Sequence, residues 1–257
     1  MTPQTALAEG RLTDAMELQL AAVAIRPTDP AARLFLFELQ LLANRFRDAW
    51  ESLNAIESPD PAWPKSRQWY RRLVRAACDR YRGRPPEFIA EVPRHAARRS
   101  RAIRAIRRNE AADALLWIDR ADHRSPHLLG HVDGREFDGL RDADDRFASV
   151  LEAFVGAAYF WLPFEQIHRL TVSVAKGIAE NAYRPARIRL SDGAEFSAVL
   201  PLVYPGSVDD VHSLGMETDH VNPDGGPMRC VGSKLLLLGE EELSLGDIRQ
   251  LDVKACA

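Results

Sequence analysis

The sequence predicts an α+β protein in which a short array of helices precedes a mostly β region with one or two helices. Two observations lead to this fold class. Apolar residues recur at helical spacing across residues 12–82, and after about residue 122 the pattern changes to turns and alternating strands. The predicted domains are therefore a helical repeat domain over residues 1–121 and a β-rich domain over residues 122–257.

A repeat of 34 residues organises the first part. The segment GRLTDAMEL (10–18) aligns with NRFRDAWES (44–52) when the sequence is shifted by that length. Four aligned pairs carry the repeat: Asp14 with Asp48, Ala15 with Ala49, Pro27 with Pro61, and Pro30 with Pro64. This is the tetratricopeptide (TPR) period, with one helix–turn–helix per repeat. The alanines would let two helices approach closely, and the prolines would end one helix and open the next.

The repeat predicts individual helices. They are expected over about 12–26, 30–43, 46–57 and 65–82. A fainter copy, NEAADALLWI (109–118), places Asp113 and Ala114 where the first copy has its Asp-Ala pair. Residues 82–93, RGRPPEFIAEVP, interrupt the helical pattern. This interruption explains why the copy lies 65 residues after the second one instead of 34. A TPR-like array of this kind typically binds proteins and carries no chemistry of its own.

A basic segment lies inside the helical part. Residues 65–108 contain 15 Lys and Arg against three acids, although the whole chain carries a net charge of −3. On a helix over 94–108, one stripe would hold Arg94, Arg98, Arg101 and Arg108. A solvated face is the favoured interpretation, followed by docking to an acidic partner. Nucleic acid is disfavoured because aromatic residues do not interleave with the arginines.

The second part is predicted to be a small curved sheet or barrel. Asp-Gly turns indicate hairpins in 131–137 and 186–204, and apolar runs predict strands in 158–164 and 234–245. Two helices are expected, over about 142–156 and 163–170. Residues 205–230 are rich in Pro, Gly and Asp and are expected to form a long, partly mobile loop.

An acid cluster, RDADDRF (141–147), raises the question of a site. An EF-hand calcium loop starting at Asp142 would lack three of the five required residues. An Asp-x-Asp metal site would follow an apolar strand of a nucleotide-binding sheet, and no such strand precedes the cluster. The favoured interpretation is a helix start, with Asp142 as N-cap and Asp144 in the first turn. The alternative is a metal-dependent enzyme that uses Asp142 and Asp144 with His131.

Other candidate chemistry is weak. Three histidines recur at four-residue spacing (His123, His127, His131), but Pro126 and Gly130 interrupt any helix there. Three cysteines at wide spacing, Cys78, Cys230 and Cys256, indicate reduced thiols rather than a disulfide framework or zinc site. Phosphate-binding loops, nucleophile elbows, signal peptides and long apolar runs are not found in the sequence. We therefore expect a cytoplasmic, non-enzymatic protein without a metal, a cofactor or a membrane segment.

A series of motifs in residues 130–220 resembles the ImpE family, also called TagJ, accessory proteins of the bacterial type VI secretion system. The segments are VDGREFDGLRDADDRFASVLEAF, YFWLPFEQIHRL, PARIRLSDG, LPLVYPGS and LGMETD. The matching positions are Asp133, Gly134, Phe137, Asp142, Asp144, Arg146, Leu151, Glu152, Tyr159, Trp161, Pro163, Phe164, Ile167, Tyr204, Pro205, Gly206 and Ser207. Ala148, Tyr183 and His220 depart from the family pattern.

The resemblance implies a function. Proteins of this family look like adaptors that bind the small subunit of the contractile sheath through a short helical segment of that subunit. They are thought to affect sheath recycling by the AAA+ unfoldase of the system. The matched residues would then be structural or docking positions rather than catalytic ones, and Arg94, Arg98, Arg101 and Arg108 remain a candidate face for an acidic partner.

Overall fold

A computed structural model describes residues 1–255, and the first 122 of these form seven α-helices. They are α1 (Pro3–Ala8), α2 (Leu12–Ile25), α3 (Pro30–Leu42), α4 (Phe46–Asn54), α5 (Trp63–Tyr81), α6 (Arg94–Arg107) and α7 (Ala111–Asp122). The four helices predicted from the repeat are α2 to α5. Helix α1 was not predicted, because six residues are too few to show a period. No helix among the described residues is both long and apolar enough to cross a bilayer.

The local signals of the repeat act as expected. Asp29 caps α3 by accepting two backbone N–H groups of the first turn, at 3.0 and 3.1 Å, and Pro30 occupies that turn. Pro64 lies in the first turn of α5. Ala15 and Ala49 are completely buried, so consecutive helices from α2 to α5 pack side by side.

The remaining described residues contain thirteen strands, one short α-helix and three 3-10 turns. The strands and the α-helix are β1 (Leu128–Val132), β2 (Arg135–Asp138), β3 (Leu140–Asp142), β4 (Val150–Val155), β5 (Ala158–Pro163), β6 (Ile167–Val172), β7 (Tyr183–Leu190), β8 (Glu195–Pro201), α8 (Asp210–Ser213), β9 (Thr218–Val221), β10 (Arg229–Gly232), β11 (Leu235–Leu238), β12 (Glu241–Ser244) and β13 (Gln250–Ala255).

Antiparallel pairing organises these strands. Eight of them form one sheet in the order β2-β1-β13-β6-β7-β8-β4-β5, while β12-β11-β3 and β10-β9 form smaller sheets. The predicted hairpins at 131–137 and 186–204 are β1–β2 and β7–β8. Over the described residues β2 and β5 are the outer strands of the large sheet, so the sheet is open and does not close into a barrel, the second of the two predicted forms.

The two parts of the chain are packed together. Helix α5 lies against β4 and β5, and the buried apolar core runs without interruption from the helices to these strands. Helices α6 and α7 form a separate hairpin, which contains the third copy of the repeat. The segment before α6 follows the edge of the sheet, where Glu87 exchanges backbone hydrogen bonds of 2.8 and 3.0 Å with Tyr159 and Trp161.

The predicted helix over 142–156 is wrong. Asp142 ends β3, a turn follows, and residues 150–155 form β4. Five of the six residues of β4 are buried, so the strand lacks polar–apolar alternation. A strand that is buried on both faces is a continuous apolar run in the sequence. Apolar residues then also occur at the three- and four-residue spacing of a helix, by coincidence.

Two further expectations need correction. The helix expected over 163–170 is a single 3-10 turn, Phe164–Gln166, followed by strand β6, in which Ile167, Leu170 and Val172 are buried. The loop expected over 205–230 contains α8 and the paired strands β9 and β10. Its many turn residues lie between these short elements, which is why composition alone indicated a loop.

Candidate functional site

We call the positions that match the ImpE family pattern the signature residues. Two of them, Asp142 and Asp144, shape a tight turn between β3 and β4. Asp142 is 2% exposed and Asp144 is fully buried. Oδ1 of Asp142 accepts the backbone N–H of Asp144 at 2.9 Å, and Oδ1 of Asp144 accepts the backbone N–H of Arg146 at 2.8 Å. Such side-chain-to-backbone bonds stabilise turns in place of a helix. The predicted N-cap role is therefore replaced by two successive turns.

Arg146 forms a bidentate ion pair with Asp144. Its Nε lies 2.9 Å from Oδ1 and its Nη2 lies 2.6 Å from Oδ2. The backbone N–H of Cys230 donates to Oδ2 at 2.8 Å. Bidentate, charge-assisted pairs are among the strongest polar contacts in proteins. The arginine of the acid motif thus binds its own aspartate and ties the turn to β10.

A second cluster surrounds Glu152 of β4, which is 1% exposed. Arg80 of α5 donates to both carboxylate oxygens, with Nε–Oε1 at 2.8 Å and Nη2–Oε2 at 2.7 Å. The Tyr159 hydroxyl donates to the same carboxylate, and the Trp161 indole N–H donates to Tyr159 at 2.6 Å. This carboxylate therefore joins the helical part of the chain to the sheet.

Lys234, immediately before β11, connects the two clusters. Its Nζ lies 2.9 Å from Oδ2 of Asp142 and 3.0 Å from Oε2 of Glu152. The same ammonium lies 4.4 Å from the centre of the Phe147 ring and 4.7 Å from that of Tyr204. Both distances suit a cation–π contact. A lysine that is 1% exposed is thus surrounded by carboxylates and aromatic faces.

These charges balance. We call the set the ion network; its members are Asp142, Asp144, Glu152, Arg80, Arg146 and Lys234. Three carboxylates face three cations, which is the condition for burying charge without a large penalty. Their oxygens are engaged by ammonium, guanidinium, hydroxyl and backbone N–H donors of the chain itself. The arrangement suits a brace between elements.

Burial and charge set the protonation of the network. Burial alone would raise the pKa of Glu152, but Arg80 and Lys234 outweigh it and hold that pKa below its ordinary value. Burial raises the pKa of Asp142, against the opposing effect of Lys234. Burial, with the nearby aspartates, also raises the pKa of the Cys230 thiol to about 12. This thiol stays protonated and unreactive at neutral pH.

Helix α6 is attached to the same turn by two residues that the sequence did not single out. Arg99 is 1% exposed; its Nε donates to Oγ of Ser149 at 2.7 Å, and it forms an ion pair with Asp122 of α7. The His95 ring contacts Ser149 Oγ at 2.8 Å and Glu165 Oε1 at 2.5 Å. The hairpin of α6 and α7 is thereby fixed to the sheet.

A cleft of about 660 Å³ opens above the ion network, between the 80–92 segment, α6 and the 205–206 turn. Apolar side chains form much of its floor: Phe88, Ile103, Ile106, Phe147 and Trp161. Arginines dominate its polar lining: Arg80, Arg82, Arg84, Arg101, Arg104, Arg107, Arg146 and Arg229. Glu152 is the one acidic residue that lines it among the described residues. The cleft is in the size range of pockets that bind ligands.

Several signature residues have positions away from the network. Asp133 occupies the β1–β2 turn with φ of 49°, and its Oδ1 accepts the backbone N–H groups of Arg249 and Gln250 at 3.0 and 2.7 Å. The adjacent Gly134 has φ of 83°, a conformation that favours glycine. Phe137 is buried against Gly130. These residues shape the far end of the sheet.

The other signature residues lie near the network. Pro163 ends β5 and Phe164 is fully buried beside it. The Tyr204 hydroxyl donates to Oδ1 of Asp142 at 2.6 Å. Pro205 offers its carbonyl to Arg146 at 3.4 Å, and Gly206 follows with φ of 105°. The later signature turn is thus in contact with the acid motif.

The arginine stripe is largely outside the cleft. Arg94 and Arg108 are exposed, and Arg98 donates to the backbone carbonyl of Arg120 on α7. Arg101 lies 4.7 Å above the Trp117 ring and also lines the cleft. The predicted partner face and the cleft therefore share only Arg101, because the helix turns Arg104 and Arg107 toward the cleft instead.

The histidines and cysteines do not converge. His123, His127 and His131 contact three different acids, Asp119, Asp138 and Glu136. Within residues 1–255, His, Cys, Asp and Glu side chains form no group of three or more that could hold a metal ion. Cys78 and Cys230 are free thiols, and Cys256 lies outside the described residues.

The two parts of the chain match two families. Residues 134–252 match the ImpE protein family, and residues 6–70 match a tetratricopeptide repeat family. Together with a near full-length relative, these matches support the assignment of the chain to the ImpE/TagJ family. A Pseudomonas aeruginosa relative, the type VI secretion system accessory component TagJ, is 28% identical over 98% of this chain and 91% of its own length. A Vibrio parahaemolyticus protein of known crystal structure is 25% identical, with a TM-score of 0.92 over 99% of this chain and 98% of that one.

The family resemblance and the TPR-like first part are thereby confirmed. The α+β fold class is confirmed too, with helices first and an antiparallel sheet second. A near full-length match to an accessory component supports an accessory role in type VI secretion for this chain.

Proposed function

We propose that this chain is a non-enzymatic adaptor of a bacterial type VI secretion system that acts in the cytoplasm and binds the small subunit of the contractile sheath. The observation that carries the proposal is the likeness to TagJ, an accessory component of such a system, over nearly the whole of both chains. A TPR-like array supports a protein-binding role, because arrays of this kind present extended surfaces to partners.

The ion network favours an adaptor over an enzyme. Its carboxylates bind cations and donors of the same chain, which leaves them occupied in bracing. We propose that the signature residues Asp142, Asp144, Arg146 and Glu152 hold α5, the β3–β4 turn and β11 in a fixed arrangement. The partner surface would then rest on a rigid support, which lowers the entropic cost of binding. Any effect on the AAA+ unfoldase would be indirect, through the sheath subunit.

The domain division at residues 121 and 122 remains a proposal as well. It falls within the last turn of α7, which ends one residue later at Asp122 and is followed by β1. Arg80 and Arg99, from the helical side, supply partners to Glu152 and Ser149 on the other side. We therefore propose that the two domains fold together and present one joint surface.

A co-purification experiment tests the proposed function. The tagged full-length chain is expressed with each sheath subunit of the same system, and the eluate is analysed for a stable complex. We expect the small subunit to co-elute with the chain. If neither sheath subunit co-elutes, and neither binds in a direct titration, the adaptor function is wrong.

A further inference from the structure

The cleft carries unbalanced positive charge. Three of its arginines pair with acids, and the other five have no carboxylate within 4.0 Å in the part of the chain that the structure describes: Arg82, Arg101, Arg104, Arg107 and Arg229. The acid at the floor, Glu152, is already bound by Arg80 and Lys234. A cleft lined by one sign of charge attracts ligands of the opposite sign. The missing counter-charge would come from outside the chain.

The environment of Arg229 supports this. Burial lowers its pKa, and the neighbouring guanidinium of Arg146 lowers it further. A carboxylate placed between these two groups would relieve the repulsion between them. Both arginines line the cleft, and Arg146 lies 3.4 Å from the backbone carbonyl of Pro205.

The cleft also offers apolar surface to a partner. Phe88 packs edge-to-face against Trp161 on the floor, with ring centres 6.3 Å apart. At the rim, Tyr81 is 55% exposed and Val92 is 42% exposed, although both are large side chains. Exposed apolar surface rimmed by polar groups is typical of interaction sites. A small inorganic anion would leave this surface uncovered.

Helix α6 presents both properties on one face. Two partly buried isoleucines, Ile103 and Ile106, line the cleft, and so do the exposed arginines that follow them, Arg104 and Arg107. The two isoleucines are three residues apart, and so are the two arginines. Residues at this spacing are neighbours on a helix surface, so all four side chains lie on the same side of α6. A ligand complementary to this face has apolar groups flanked by carboxylates.

We infer that this cleft is the docking site for an acidic amphipathic segment of the partner protein, with its apolar side chains on the Phe88–Trp161 floor and its carboxylates on the arginine wall. The inference rests on the proposed function, since it places the partner in the cleft and away from the concave side of the TPR-like array. It assigns specificity to Arg104, Arg107 and Arg229, which lie outside the predicted arginine stripe.

The test compares two pairs of substitutions in α6 and at the residue directly after it. The cleft variant is Arg104→Glu with Arg107→Glu, and the control is Arg94→Glu with Arg108→Glu. All four arginines are exposed and both variants change the charge equally, but the control positions do not line the cleft. A third variant, Arg104→Gln with Arg107→Gln, avoids placing acids in the last turn of α6. Thermal unfolding verifies that each variant is folded.

Affinity for the small sheath subunit is measured by isothermal titration with the full-length chain. Because like charges across an interface are strongly unfavourable, we expect the Glu pair to weaken binding by about tenfold or more. The Gln pair should weaken it less, and the control should bind within about twofold of wild type. Wild-type affinity in both cleft variants would overturn the inference while leaving the adaptor function intact.

A second probe separates the two proposals if the wild-type chain does not bind the sheath subunit. It is a labelled synthetic peptide with Leu and Glu at helical spacing, compared with a scrambled peptide of the same composition. Binding that favours the amphipathic order and is lost in the cleft variants supports the inference without the sheath. No binding of this peptide, or equal binding of inorganic phosphate or ATP with the same arginine dependence, would overturn it.

Discussion

Replacing Glu152 with Gln should destabilise the protein more than a surface substitution of the same kind. The carboxylate accepts two hydrogen bonds from Arg80, at 2.8 and 2.7 Å, and lies 3.0 Å from Lys234 Nζ. An amide of the same shape carries no charge and turns an N–H₂ group toward one of these cations. The ion network would then hold three cations against two carboxylates in a buried site.

The expected magnitude follows from that imbalance. Removing one partner of a buried ion pair costs about 3–5 kcal/mol, because the remaining charge is left without compensation. The matched control is Glu51→Gln, which breaks an exposed pair with Arg47 at 3.1 Å, with side chains 64% and 91% exposed. Exposed pairs of this type contribute about 0.3–0.5 kcal/mol. The difference between the two variants should therefore exceed about 2 kcal/mol.

Urea unfolding followed by circular dichroism measures this difference. The pH dependence provides a second readout. Because the folded pKa of Glu152 lies below its unfolded value, its contribution is present above about pH 4.3 and is lost as the pH falls below that value. The wild type should lose this contribution in acid, and Glu152→Gln should lack that part of the pH dependence. Equal stability of Glu152→Gln and Glu51→Gln would refute the bracing role.

Three further outcomes are expected. Asp210 accepts hydrogen bonds from the backbone N–H and the hydroxyl of Thr13 in α2, at 2.9 and 2.8 Å. Asp210→Ala should therefore reduce the free energy of unfolding by about 1 kcal/mol. An unchanged free energy of unfolding would contradict this capping contact. Because Cys230 is buried with a pKa of about 12, iodoacetamide at pH 8 should label it only in denaturant, as mass spectrometry would show; rapid labelling of the native protein would contradict the described environment. A fragment of residues 122–257 lacks Arg80 and Arg99 and should unfold at lower urea concentration than the full chain, whereas equal midpoints would mean that the helical part adds no stability.

The helical half could be predicted because its signals are local. The 34-residue period, Pro30 and Ala15 each act within one helix or between neighbouring helices, and α2 to α5 follow from them. The hairpins were predictable for the same reason, since Asp-Gly turns determine their own geometry. The strand β4 was not, because burial on both faces removes the alternation on which strand prediction depends.

The candidate site depends on contacts that local patterns do not reveal. Glu152 and Arg80 are 72 positions apart, and Asp142 and Lys234 are 92 apart. The family motif included Asp142, Asp144, Arg146 and Glu152. The other two cations of the network, Arg80 on α5 and Lys234 before β11, belong to no motif, so the sequence did not distinguish them from other charged residues. The cleft was missed because the stripe through Arg94 and Arg108 follows a different face of α6 from Arg104 and Arg107.

The adaptor function is tested most directly by titrating the small sheath subunit into the purified full-length chain, in the presence of a chelator and without any nucleotide. We expect saturable binding with a defined stoichiometry that the chelator does not change, because the surface is made of side chains held by the ion network. No detectable binding of either sheath subunit at concentrations of tens of micromolar, which excludes affinities tighter than about −6 kcal/mol, would contradict it.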